Sequence, residues 1–278
     1  MENNEVSDCL KKKHQIKFES YGVRIGVESN SERFLKRLAD HLPSVIPNVS
    51  VTNNNLDAEH VFLVNVGSDG FFELYKDGEK ITSGDSEENF FNFSCSKLRL
   101  TIAEFAKAKV FLHAGVIGWN GKAIIFPARS FQGKSTLVAK LVQKGAVYYS
   151  DEYAVLDEKG FVYPFPKTLS LRGIVDKYKQ TEFTAESFGG KIGTEPLAVG
   201  MILITEYELG AEWKPEVLSA GKAILEIVPH TIPIRNKPKF SLQVLNKIVN
   251  RAIIAKSKRG EAEKFVDLLL EFYETKVI

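Results

Sequence analysis

The run Ala128-Arg129-Ser130-Phe131-Gln132-Gly133-Lys134-Ser135 contains the residue types with which a chain grips phosphate. Such a loop wraps backbone N–H groups around phosphate oxygens, at a helix start whose partial positive charge also faces the anion. Gly133 supplies backbone freedom, Lys134 reaches the β- and γ-phosphates, and the Ser135 hydroxyl ligates Mg²⁺, with Thr136 next in the cradle. Ala128 stands where a first glycine is commoner, so that turn must form without a positive φ. The bland alternative is a Lys-Ser helix start with no ligand.

Sixteen residues after Ser135 comes Asp151-Glu152, at the end of the apolar run Ala146–Tyr149. An acid beside a phosphate loop can hold Mg²⁺ or accept the proton of an attacking hydroxyl. Paired acids at a strand end are also common turn residues. His113, in the strand just before the loop, is either a core histidine or a neighbour of the phosphates. Arg172 and Arg235 each read as a group that neutralises transition-state charge or as a surface residue.

These residues need elements to position them. VFLHAGVIGW and KAIIFPA flank Asn120-Gly121, a pair that favours the tight type I′ turn. An amphipathic helix, Ser135–Lys144, follows the loop, and Gly145 suits its left-handed cap. Strands are expected on either side of Ser150-Asp151-Glu152, and the near-continuous apolar run Leu197–Tyr207 suits a buried strand. A last helix is expected over 261–273.

Upstream, residues 1–14 read as a frayed tail and 15–28 as one or two strands. Ser31 caps a helix with Phe34, Leu35, Leu38 and Leu42 on one face, which Pro43 should stop. His60–Val66 reads as a strand, and Phe71–Ile81 as a hairpin turning at Asp77-Gly78. A loop over 82–88 then leads to a long helix from about 87 to 107. The expected organisation is a small α+β module over 15–85 and a second unit over 86–278 that begins with that helix.

Lys plus Arg number 37 and Asp plus Glu 35 among the 278 residues, a net charge of +2. That balance argues against a dedicated nucleic-acid binder, which concentrates positive charge. Cys9 and Cys95 are too few for a disulfide framework or a zinc site. The most apolar run, 196–205, is about half a bilayer crossing, and no apolar stretch follows the early lysines as in a secretory signal. The expectation is a soluble, cytoplasmic protein with no membrane partner.

The segment LHAGVIGWNGKAIIFPARSFQGKSTLVAKLVQKGAVYYSDEYAVL resembles the catalytic core of the HPr kinase/phosphorylase family. That core runs from a His-Gly pair through a strand hairpin, a GxSGxGKS phosphate loop and a helix to a strand ending in Asp-Asp. The separations of 21 residues from His113 to Lys134 and 16 from Ser135 to Asp151 equal the family's. With its YGVRIGV, HTIPIR and KRGEAE segments, the whole chain is more similar to HPr-kinase-related proteins.

The resemblance implies an α/β (α+β) fold with a P-loop kinase core of the HPr kinase and phosphoenolpyruvate carboxykinase type. It implies ATP and Mg²⁺ as cofactors. Asp151 would be the proton acceptor and His113 the active-site histidine. Lys134 and the loop residues 128–136 would hold the phosphates. Ser135 and Glu152 would serve the metal, and Arg235 would be the late active-site arginine. Glu152 stands where the family has a second Asp. Ser170-Leu171-Arg172-Gly173 carries serine where the family's Glu-Val-Arg-Gly has a metal-binding glutamate, which leaves phosphorolysis unsupported. The N-terminal module does not resemble the family's regulatory domain.

The expected function is a kinase that transfers the γ-phosphoryl group to a hydroxyl, a serine of a small protein or peptide being the leading acceptor. A small-molecule kinase with a carboxykinase-like core and a non-catalytic nucleotide sensor are the alternatives. A homo-oligomer is compatible with each of these.

Overall fold

A computed structural model describes residues 14–51, 57–128, 133–172 and 180–277, save the side chains of Ser170, Arg172, Gln180 and Val277. The chain divides into two compact units after Lys107. In the first, β1 (His14–Ser20) and β2 (Val23–Ser29) form a hairpin. Its two turn residues, Tyr21 and Gly22, have φ of 49° and 76°, the left-handed pair that such a turn demands. The helix α1 (Glu32–Val45) follows, then β3 (Val49–Val51), β4 (His60–Val66), β5 (Phe72–Lys76), β6 (Glu79–Gly84) and the helix α2 (Glu87–Phe105). The sheet order is β3-β1-β2-β4-β5-β6, antiparallel apart from the β2–β4 pair.

Ser31 accepts from the Phe34 amide, and Phe34, Leu35, Leu38 and Leu42 are buried, as their spacing predicts. Pro43 does not stop α1, which runs on to Val45. A proline in the last turn forfeits little of the ladder, and buried Leu42 and Ile46 hold the helix end down. The expected loop over 82–88 is shorter, because β6 continues to Gly84 and Ser86 caps α2. The boundary expected at 85/86 lies at 107/108 instead. Phe90, Phe91, Cys95, Leu98 and Ile102 of α2 share one core with α1 and the first sheet, and that burial assigns the helix to the first unit.

The second unit begins with β7 (Lys109–Trp119) and β8 (Lys122–Pro127), joined by Asn120 and Gly121 at φ of 47° and 76°. The helix α3 (Lys134–Gln143) comes next, closed by Gly145 at φ 100°, then β9 (Val147–Ser150), β10 (Tyr153–Asp157) and β11 (Phe161–Tyr163). A separate hairpin of β12 (Leu169–Arg172) and β13 (Gln180–Phe183) precedes the long β14 (Leu197–Tyr207). The chain ends with β15 (Glu216–Val217), α4 (Ala220–Ile227), α5 (Pro238–Val249), β16 (Ile253–Arg259) and α6 (Ala262–Val277).

The main sheet has the order β11-β10-β7-β8-β14-β16-β15, with β9 alongside β10 on the same edge of β7. Strands β8, β14 and β16 are parallel to one another, while β7 runs against β8. One face buries Ile124, Phe126, Met201 and Leu203 under α3 and α6. The other buries Ile125, Ile202 and Ile254 under α4 and α5. Burial on both faces explains why β8 and β14 read as continuous apolar runs rather than alternating ones. The protein is therefore mixed α/β, and among the described residues no helix is long and apolar enough to cross a membrane.

Candidate functional site

Strand β8 delivers the chain to the C-terminal edge of the parallel strands, where open α/β sheets present their ligand sites. Gly133 caps α3 at φ 70°, a left-handed conformation that any side chain would strain. A Cβ there would also lie 2.7 Å from Arg259 Nη2. Gly115 of β7 faces the same turn of helix. A Cβ on it would meet Val138 Cγ2 at 2.7 Å and Lys134 Cγ at 3.1 Å, so the missing side chain lets α3 lie against β7.

Asp151 is positioned by the interruption between β9 and β10, both of which pair with β7. At the break the Ala114 amide donates to Glu152 O at 3.0 Å, while Ser150 Oγ accepts from the Glu152 and Tyr153 amides. The Asp151 carboxylate is nearly fully buried. Ser135 Oγ donates to its Oδ2 at 2.9 Å. The Tyr148 hydroxyl lies 3.2 Å from its Oδ1 and 2.9 Å from the Lys167 carbonyl. Lys167 Nζ approaches the same Oδ1 at 3.5 Å. Burial, and then the Asp151 charge, push the Tyr148 hydroxyl well above its ordinary range, so it stays a proton donor.

Lys134 Nζ lies 3.0 Å from His113 Nε2. Burial, followed by the charges of Lys134 and His230, brings the His113 imidazole down to about 4. The ring is therefore neutral at neutral pH; its Nε2 accepts from the ammonium, and Nδ1 carries the proton. Burial also lowers Lys134 to about 8, against the pull of Asp151 and Glu152.

The structure thus brings together His113, Gly133, Lys134, Ser135 and Asp151. Glu152 is half-buried beside them and its charge reaches Lys134, but the acid that takes the Ser135 hydroxyl is Asp151. Ala128 is buried, and its amide donates to the His113 carbonyl at 3.4 Å. Thr136 is exposed on α3. Arg129, Ser130, Phe131 and Gln132 lie outside the described residues, as do the side chain of Arg172 and the following Gly173. Arg235 is exposed at the end of a short 3-10 turn, Ile232–Ile234. The segment before it reaches β7, where Thr231 bridges Leu112, yet no described hydrogen bond or ion pair joins Arg235 to Lys134, Ser135 or Asp151.

Tyr148, Lys167, His230 and Arg259 belong to the neighbourhood and were not singled out by sequence reasoning. Tyr148 lies three residues before Asp151, in the apolar run read as a strand. Lys167 carried no local signal; Arg259 and His230 lay in the KRGEAE and HTIPIR segments that carry the resemblance, but nothing in those segments assigned either a place in the site. The chain matches no known protein-family model, and it matches no curated protein.

Proposed function

We propose that the second unit is a phosphotransferase that binds ATP with Mg²⁺ at the start of α3. It passes the γ-phosphoryl group to a hydroxyl, with a serine of a small protein or peptide as the acceptor. The observation that carries this reading is the 2.9 Å hydrogen bond from Ser135 to Asp151, with Lys134 on the same helix start. Two residues that the motif assigns to phosphate and metal meet the acid that the chemistry needs. A P-loop kinase core of the HPr kinase and phosphoenolpyruvate carboxykinase type belongs to the same proposal. It is supported by a hairpin, rather than a crossover helix, directly before the loop.

The donor set fits Mg²⁺. A hydroxyl and a carboxylate in contact are hard oxygen ligands, and this ion is commonly held by one or two such groups plus phosphate oxygens and water. Ser135 and Asp151 would hold it, and it would supply neutralisation of charge on the phosphates. Lys134 adds a movable positive charge for the developing negative oxygens. His113 stores that ammonium group by accepting a hydrogen bond from it. Asp151 takes the proton of the acceptor hydroxyl as the new O–P bond forms and the bridging oxygen departs with ADP.

The test uses the full chain with ATP labelled at the γ-phosphate, Mg²⁺ and serine-containing peptides. Label on peptide serine supports the proposal. Label on a small alcohol alone would move the acceptor class, and binding without transfer would make the protein a nucleotide sensor. Absence of nucleotide binding would overturn the reading.

A further inference from the structure

Arg259 ends β16, two strands away from β8 in the sheet, and its side chain is 2% exposed. Its Nη2 donates to the Gly133 carbonyl at 3.1 Å, and its Nη1 donates to the Gly260 carbonyl at 3.2 Å. The guanidinium carbon lies 5.6 Å from the ring centre of Tyr207 and 5.9 Å from that of Phe265. Burying a cation is costly, and the cost is offset here by acceptors placed around it. One of them, the Gly133 carbonyl, belongs to the first peptide of α3.

We infer that Arg259 is a positioning residue of the phosphate site: its grip on the Gly133 carbonyl aims the Lys134 amide at the bound anion. The peptide plane makes this mechanical. Across a trans peptide, C=O and the following N–H point in opposite directions, so fixing one fixes the other. Gly133 offers no side-chain cap to α3, and glycine is the residue whose backbone is least restrained. A glycine this free needs an outside hold. The carbonyl also accepts from the Leu137 amide at 3.0 Å, so Arg259 adds the second acceptor contact rather than replacing the helical one. The fit is close from both sides, because any Cβ at residue 133 would press on Nη2. This inference rests on the proposal that the start of α3 binds phosphate.

The experiment measures ADP·Mg²⁺ affinity by calorimetry for the full chain, Arg259→Gln and Arg259→Lys, with thermal unfolding of each ligand-free protein alongside. Gln loses the charge and the fork, and binding should weaken about tenfold or more, the worth of a charged hydrogen bond. Lys keeps the charge but has no fork to bridge both carbonyls, so it should recover binding only in part and stay measurably weaker than the original, by about threefold or more. A structural role alone would move the unfolding temperature and leave affinity in place. Gly133→Ala completes a double-mutant cycle. Its left-handed strain is common to both backgrounds, so its extra cost beside Arg259, absent beside Gln, reports the contact. Should Arg259→Gln not fold, Arg259→Lys carries the comparison. Failure of the unaltered protein to bind ADP·Mg²⁺ would overturn the phosphate reading itself. Binding that is intact in the unaltered protein and unchanged in folded Arg259 variants would overturn this inference alone.

Discussion

Lys134→Met should make the ligand-free protein more stable while abolishing its response to nucleotide. The ammonium is held in a site that lowers its pKa to about 8, from an ordinary 10.5, chiefly through burial. That gap corresponds to roughly 3 kcal/mol of disfavoured charge at pH 7. Met matches the length of the stem that packs beside Gly115 and Val138, and it carries no charge. Against this gain stands the charged hydrogen bond to His113, worth about 1.5–3 kcal/mol. A net gain of up to about 1.5 kcal/mol remains, or a rise of up to a few degrees in unfolding temperature for a unit of this size.

The sign with pH follows from proton counts. Between about 8 and 10.5 the folded state of the unaltered protein binds fewer protons than the unfolded state, so its stability rises with pH across that window. The Met variant lacks this term, and its advantage should be full at pH 7 and shrink toward pH 10. Calorimetric unfolding of both proteins at pH 7 and 9.5, with and without ADP·Mg²⁺, reads all of this. At a hundredfold excess over Kd the nucleotide should stabilise the unaltered protein by about 2.7 kcal/mol and leave the variant unmoved. A Met variant less stable at pH 7, or an advantage independent of pH, would refute the reasoning about buried charge. A nucleotide response that survives would refute the role in phosphate binding.

Ser135→Ala should weaken the dependence of nucleotide binding on Mg²⁺ far more than binding of nucleotide without metal; superimposable metal titrations would count against that role. Asp151→Asn should lower single-turnover transfer at saturating Mg²⁺ by roughly 10²–10⁴, while affinity for nucleotide without metal changes much less. Transfer restored in full by excess Mg²⁺ would leave Asp151 a metal ligand alone and remove its role as base. Tyr148→Phe removes a buried hydroxyl shared between Asp151 and the Lys167 carbonyl, and should cost about 1–2 kcal/mol in denaturant unfolding. An unchanged midpoint would show that neither contact matters.

Much of the local structure was legible because its causes are local. Asn120-Gly121 and Asp77-Gly78 turn where they should, since few other residues tolerate positive φ at both positions. The spacing of Phe34, Leu35, Leu38 and Leu42 defines a buried helix face whatever it packs against. The meeting of Lys134 and Ser135 with His113 and Asp151 was legible only in part: the residues alone left His113 open between core and site and did not choose between Asp151 and Glu152, and the choice rested on the family resemblance. Pro43 shows the limit of such reasoning, for its helix-stopping tendency gave way to the burial of Leu42 and Ile46.

Where partners lie far apart in the chain, spacing says nothing. Arg259 reaches Gly133 across 126 residues because β16 pairs with β14, and β14 with β8, in parallel register. No pattern around Lys167 distinguishes it from the other cations of a nearly neutral chain, and the KRGEAE segment around Arg259 names no partner for it. Helix α2 was assigned to the wrong side of the unit boundary for the same reason: its apolar residues predict burial but do not name the sheet that buries them. The amino-acid sequence by itself determined the helix start, the acidic pair that answers it and the turns between them. Only the tertiary structure decided which distant cations and hydroxyls complete the site, because strand order is set by burial summed over whole sheets and not by any short run of residues.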